Sequence, residues 1–85
     1  MSVTQRVLVV GGGGGVGSAL ARLITAAGGR VFLAGRDASR LDAVAGEIGA
    51  ASATLDAADL AAVDSVAEKA SETLGGLTGI ALLRR

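Results

Sequence analysis

Val7-Leu8-Val9-Val10-Gly11-Gly12-Gly13-Gly14-Gly15-Val16-Gly17 decides the fold of this chain. An unbroken apolar run suits a strand covered on both faces, as parallel sheets require. Five successive glycines then lift the Cβ restriction, so the backbone can turn sharply and approach a ligand closely. Beyond them Val16, Leu20, Leu23, Ile24 and Ala27 recur at helical spacing, which predicts one apolar helix face. The first turn of that helix would aim free N–H groups and the positive dipole end at the loop. Strand, glycine loop and helix together predict an anion site, with phosphate as the anion.

Two glycine registers fit at once. Gly12, Gly14 and Gly17 satisfy G-x-G-x-x-G, and Gly11, Gly15 and Gly17 satisfy G-x-x-x-G-x-G. A run of five glycines matches such patterns easily, so the specificity comes from its place between a strand and an amphipathic helix, the context of a dinucleotide fingerprint. No Lys-Ser or Lys-Thr pair follows, and the only lysine is Lys69, which excludes a Walker-type loop.

Composition narrows the function classes. At 85 residues the chain reads as one small domain, residues 1–85, with a thin stability margin. Eight acidic and eight basic residues give zero net charge, so no nucleic-acid footprint is expected. There are no cysteines or histidines, which removes disulfides, thiolate zinc sites and the usual general base. No apolar run approaches the ~20 residues needed to span a bilayer, and Met1-Ser2-Val3-Thr4-Gln5-Arg6 lacks a signal-peptide layout. A cytoplasmic location is the expectation.

Gly28 and Gly29 stand where a helix should end, and Val31-Phe32-Leu33-Ala34 predicts a second buried strand. Gly35-Arg36-Asp37 follows it, where a dinucleotide's adenosine ribose would lie. An acidic residue there would accept from a free 2′-hydroxyl, whereas a guanidinium would pair with a 2′-phosphate. Arg36 comes first, which favours NADP; Asp37 reads alternatively as a helix N-cap. A second helix places Leu41, Val44, Ala45 and Ile48 on one face and closes at Gly49. Ala51-Ser52-Ala53-Thr54-Leu55 is weak by propensity and is read as a strand because the alternation leaves that slot for one. It ends at Asp56, either an adenine contact at the ligand end of the sheet or a turn residue bonding its own backbone.

Asp59 reads as the N-cap of a third helix with apolar positions Leu60, Val63, Ala67, Ala70 and Leu74. Its other face carries Asp64, Glu68 and Glu72, read as solvated charges. Gly75-Gly76 stops it, and Leu77-Thr78-Gly79-Ile80-Ala81-Leu82-Leu83 predicts a fourth strand. The expected architecture is α/β, an open parallel sheet of four strands with three helices in the order 3-2-1-4. Nothing succeeds the fourth strand to cover its outer edge, so a homodimer through that edge is expected.

The order Gly11-x-x-x-Gly15-Val16-Gly17, Gly35-Arg36-Asp37 with Leu41 behind it, Leu55-Asp56 and Gly75-Gly76-Leu77 resembles the N-terminal half of the short-chain dehydrogenase/reductase family. The likeness covers essentially the whole chain and implies a half-Rossmann, NADP-type domain. By that resemblance Gly11, Gly15, Val16 and Gly17, with Gly13 and Gly14 in the same loop, would line the pyrophosphate. Arg36 and Asp37 would stand at the ribose, and Asp56 would approach the adenine. Val10 departs from the family's frequent threonine. The family's Asn-Asn-Ala-Gly segment, catalytic serine, Tyr-x-x-x-Lys pair and substrate loop have no counterpart, so the chain reads as a truncated reductase.

Composition makes the catalytic point separately. Hydride transfer of that kind needs a phenolic proton donor, and the chain has no tyrosine. No catalytic residue is therefore assigned, and three functions stay open. A nucleotide-binding module holding NADP needs nothing beyond the residues present and is preferred. A metal-assisted phosphoester hydrolase would use the glycine loop and a divalent metal ion on Asp37, Asp56 and Asp59. A non-binding structural or interaction fragment is the third.

Overall fold

The computed structural model describes residues 4–11, 15–56 and 58–83. Strands β1 (Arg6–Val10), β2 (Arg30–Gly35), β3 (Ala51–Thr54) and β4 (Gly79–Leu82) alternate with helices α1 (Gly15–Ala26), α2 (Ala38–Ile48) and α3 (Leu60–Leu74). All pairings are parallel and the sheet order is β3-β2-β1-β4, as expected from the sequence. Val7 to Val10 pair with Val31 to Ala34 on one side and with Gly79 to Leu82 on the other. The third and fourth strands are shorter than expected, although Leu55 still donates its N–H to Gly35 O at 2.7 Å.

Strand alternation sorts the core into two layers. Leu8, Val10, Phe32 and Ala34 point to the α3 side, where they meet Leu55, Ala70 and Leu74. Val9, Val31 and Leu33 point to the other side, where they meet Ala21 of α1 and Leu41, Val44 and Ala45 of α2. Both faces of β1 and β2 are thereby covered, which is why their sequences run apolar without alternation.

The helices end on glycine. Gly28 (φ +88°) donates to Thr25 O and Gly29 to Ile24 O, closing α1 in a Schellman arrangement. Gly49 and Gly75, both left-handed, close α2 and α3. The exposed Arg22 and Glu47 form a two-pronged ion pair that ties α1 to α2. Hydrogen bonding and charge from the partner raise the Arg22 guanidinium above its ordinary value; hydrogen bonding from Arg22 lowers the Glu47 carboxyl.

Helix α1 departs from its expected face. Val16 and Leu23 are 73% and 70% exposed, and Ala27 lies past the helix end. The residues against the sheet are Gly17, Ser18 and Ala21, with Ile24 packed beside them. Small side chains let the helix axis lie close to the strands, and the Ser18 hydroxyl is satisfied by donating to Gly15 O at 3.2 Å. Leu60, assigned to the apolar face of α3, is likewise exposed at the helix's first position. Val63, Ala67, Ala70 and Leu74 pack as expected.

Candidate functional site at the carboxyl ends of the strands

Parallel strands place every strand-to-helix turn at one end of the sheet, and there the residues singled out in the sequence are found. Gly11 follows β1 with φ +94° and donates its N–H to Ala34 O at 2.7 Å. A Cβ at Gly11 would stand 3.2 Å from both Cβ and O of Leu83, so this turn requires glycine for its backbone angle and for its neighbour. Gly13 and Gly14 lie outside the described residues, as does Gly12. Gly15 opens α1 with free space where its Cβ would be, Val16 beside it is exposed, and Gly17 is buried against the sheet. The unbonded N–H groups expected in the first turn of any helix give this corner its positive end.

Arg36 and Asp37 follow β2, and both are exposed. Asp37 is the N-cap of α2: its Oδ1 accepts the Arg40 backbone N–H at 3.2 Å. Asp59 does the same for α3, accepting from the Ala62 N–H at 3.2 Å. Asp56 Oδ1 accepts from the Ala58 N–H at 3.0 Å, and its carbonyl accepts from the Asp59 N–H. Each of the three carboxylates thus serves the turn it stands in. Among the described residues no group of three acidic, histidine or cysteine side chains is placed to hold a metal ion, so the metal-assisted hydrolase finds no support there.

A shallow, largely open cleft of about 380 Å³ lies between the ends of β2 and β3 and the first turn of α3. It is lined by Arg36, Thr54, Leu55, Asp56 and Ala62. Arg36 and Asp56, 20 positions apart in the chain, therefore share one surface, while Asp37 and Asp59 do not line it. Thr54 and Ala62 were not singled out from the sequence. Thr54 ends β3 immediately before Leu55-Asp56, and Ala62 is the residue whose N–H Asp59 caps, so both positions follow from the element boundaries. A second cavity of about 290 Å³ lies at the opposite end of the sheet, among Gly29, Arg30, Ile48, Ala51 and Leu74. Helices α1, α2 and α3 all end there, presenting carbonyl rather than N–H ends, which disfavours a phosphate.

A model of the short chain dehydrogenase family matches residues 5–82. The chain belongs to the short-chain dehydrogenase family. It is 38% identical over 82 residues to an uncharacterized oxidoreductase of Mycobacterium bovis, covering 91% of this chain and 24% of that protein. Among solved structures, the 3-ketoacyl-(acyl-carrier-protein) reductase of Brucella melitensis complexed with NADH superposes with a TM-score of 0.84. It shares 30% identity, over 93% of this chain and 34% of the reductase. A variant of actinorhodin polyketide ketoreductase with NADPH superposes at a TM-score of 0.87 over 98% of this chain and 34% of its own; at 22% identity it speaks to the fold alone. The chain spans about a quarter of the length of the curated oxidoreductases it matches.

Proposed function

We propose that residues 1–85 form one Rossmann-like domain that binds a nicotinamide dinucleotide at the carboxyl ends of β1, β2 and β3, with NADP preferred. The observation that carries this reading is the cleft shared by Arg36 and Asp56. Arg36 is in no ion pair among the described residues, so its guanidinium is available to a 2′-phosphate. Asp37, which would serve a free 2′-hydroxyl, is turned to capping α2 through its Oδ1 and does not line that cleft. In this reading Gly11, Gly13, Gly14, Gly15, Val16 and Gly17 approach the pyrophosphate, and Asp56 and Thr54 flank the adenine. The open space above Gly15 suits that cradle. The Brucella reductase, described with NADH, supports a nicotinamide dinucleotide in general.

The chain's own residues bind and orient in this proposal. With no tyrosine or histidine, they offer no phenol or imidazole for proton transfer. When bound, the cofactor supplies hydride chemistry, and the module's part is to hold its adenosine half. The same reading keeps the domain in the cytoplasm; among the described residues no helix is long and apolar enough to cross a membrane.

Arg36→Ala is expected to weaken NADP binding by about 10- to 100-fold while leaving NAD nearly unchanged, the size of a charge-assisted hydrogen-bond set. Titration of the purified chain with each cofactor tests this, and an equal loss for both would remove the 2′-phosphate assignment. If no nucleotide raises the melting temperature, the non-binding fragment becomes the correct reading.

We further propose that two copies pair through β4. Among the described residues β1 is this strand's only neighbour, and its Ile80 and Leu82 side chains are 54% and 46% exposed. Sedimentation equilibrium is expected to give twice the 8.2 kDa chain mass at micromolar concentration. A single chain mass up to the highest soluble concentration would rule the pairing out.

A further inference from the structure

The turn from β2 into α2 concentrates three exposed charges, Arg36, Asp37 and Arg40, within five residues. Both carboxylate oxygens of Asp37 face one neighbour, one as a hydrogen-bond acceptor and one in a looser ion pair. Its Oδ1 accepts the Arg40 backbone N–H at 3.2 Å, and its Oδ2 lies 3.6 Å from the Arg40 Nε. Resting on the NADP reading above, we infer that Arg40 is a positioning residue that sets cofactor selectivity by offsetting the charge of Asp37 beside Arg36.

Arg40 stands in the first turn of α2, where the helix dipole disfavours a cation. The i,i+3 ion pair with Asp37 offsets part of that cost. It also changes the charge that stands beside Arg36. Without Arg40, Asp37 would keep an uncompensated charge beside Arg36. The charge would oppose a 2′-phosphate, which carries about −1.5 to −2. With Arg40 in place that charge is offset, and the rim of the cleft on the Arg36 side is net positive.

The pair is exposed on both sides, so water and salt screen it and the effect is moderate. Two groups several ångströms apart in a water-like dielectric change a binding constant by about three- to tenfold when one carries a doubled charge.

The test is titration of the whole chain with NADP and with NAD at low salt, followed by thermal denaturation in circular dichroism. Arg40→Ala is expected to lower the ratio of NADP to NAD affinity about three- to tenfold, with the ligand-free melting temperature held or raised. Adding Asp37→Asn to Arg40→Ala is expected to restore the wild-type ratio, because asparagine still caps the helix but brings no charge. A ratio unmoved by Arg40→Ala overturns the inference. So does a double variant that stays as low as Arg40→Ala, which would mean that Arg40 meets the phosphate itself. A wild-type chain that binds neither cofactor overturns the dinucleotide reading and this inference with it. A wild type that prefers NADP beside an unchanged Arg40→Ala overturns the inference alone.

Discussion

Gly29→Ala is expected to lower the melting temperature by roughly 12–24 °C, from a loss of about 3 kcal/mol in a domain of this size. A Cβ built on Gly29 would stand 2.6 Å from Ile24 Cγ2, 2.9 Å from Ile24 O and 3.1 Å from Gln5 O. A side chain alone could rotate away, but two of these three atoms are backbone carbonyl oxygens with partners of their own. Ile24 O accepts the Gly29 N–H at 2.9 Å, and Gln5 O accepts the Arg30 N–H at 2.7 Å. Relieving the clash therefore breaks either the closing bond of α1 or the bond that starts the pairing of β2 with β1. With no tryptophan or tyrosine in the chain, far-ultraviolet circular dichroism is the measurement. A variant melting within a few degrees of wild type would show that α1 reaches β2 by a looser path than the one described.

Where the sequence was legible, local chemistry and global packing agreed. Helix α2 is the clearest case. Asp37 caps it, Gly49 ends it, and Leu41, Val44 and Ala45 are buried at the spacing the pattern required. Helix α1 was misread for a specific reason. Its largest apolar residues, Val16 and Leu23, form an outward stripe, whereas the sheet is met by Gly17, Ser18 and Ala21. Periodicity arguments weigh residues by hydrophobicity, and a helix that packs through small residues inverts that weighting. Strand β3 shows the reverse. Ala-Ser-Ala-Thr has little strand propensity, yet the βαβ alternation left no other place for it, and it pairs with β2 in parallel from Phe32↔Ala51 to Gly35↔Thr54.

The candidate site was legible in position but not in detail. Arg36 and Asp56 follow strands whose ends lie together in any parallel sheet, so their convergence on one cleft was readable from the topology. What each carboxylate bonds was not. A cap, a turn residue and a ligand are the same aspartate in sequence, and the choice depends on whether the next N–H groups point back at it. At Asp37 and Asp59 they do so at the third residue on, and at Asp56 at the second. The ion pair from Asp37 to Arg40 was equally hidden, since it needs both residues to begin the same helix.

Phe32→Ala is expected to cost about 3–5 kcal/mol, a large share of the roughly 4–13 kcal/mol available to a domain of this length. Phe32 is the only aromatic residue and is 1% exposed, on the α3 side of the central strand β2. Ala34, Ala53, Ala67 and Ala70 of its layer are too short to reach into the space the ring fills, which leaves only the larger residues such as Leu8 and Leu55 to adjust. A cavity left there would stay open, and the cost of truncation rises with the volume that fails to collapse. Phe32→Leu, which keeps most of that volume, is expected to cost less than half as much. The loss should also reach the binding site, because β2 ends at Gly35 and carries Arg36 on its next residue. Melts of both variants, with and without NADP, separate the two effects. An alanine variant that melts like wild type would place the stability of this fold in the α1 and α2 layer. One that melts low but recovers with NADP would show that cofactor binding can hold β2 in register after its core anchor is gone.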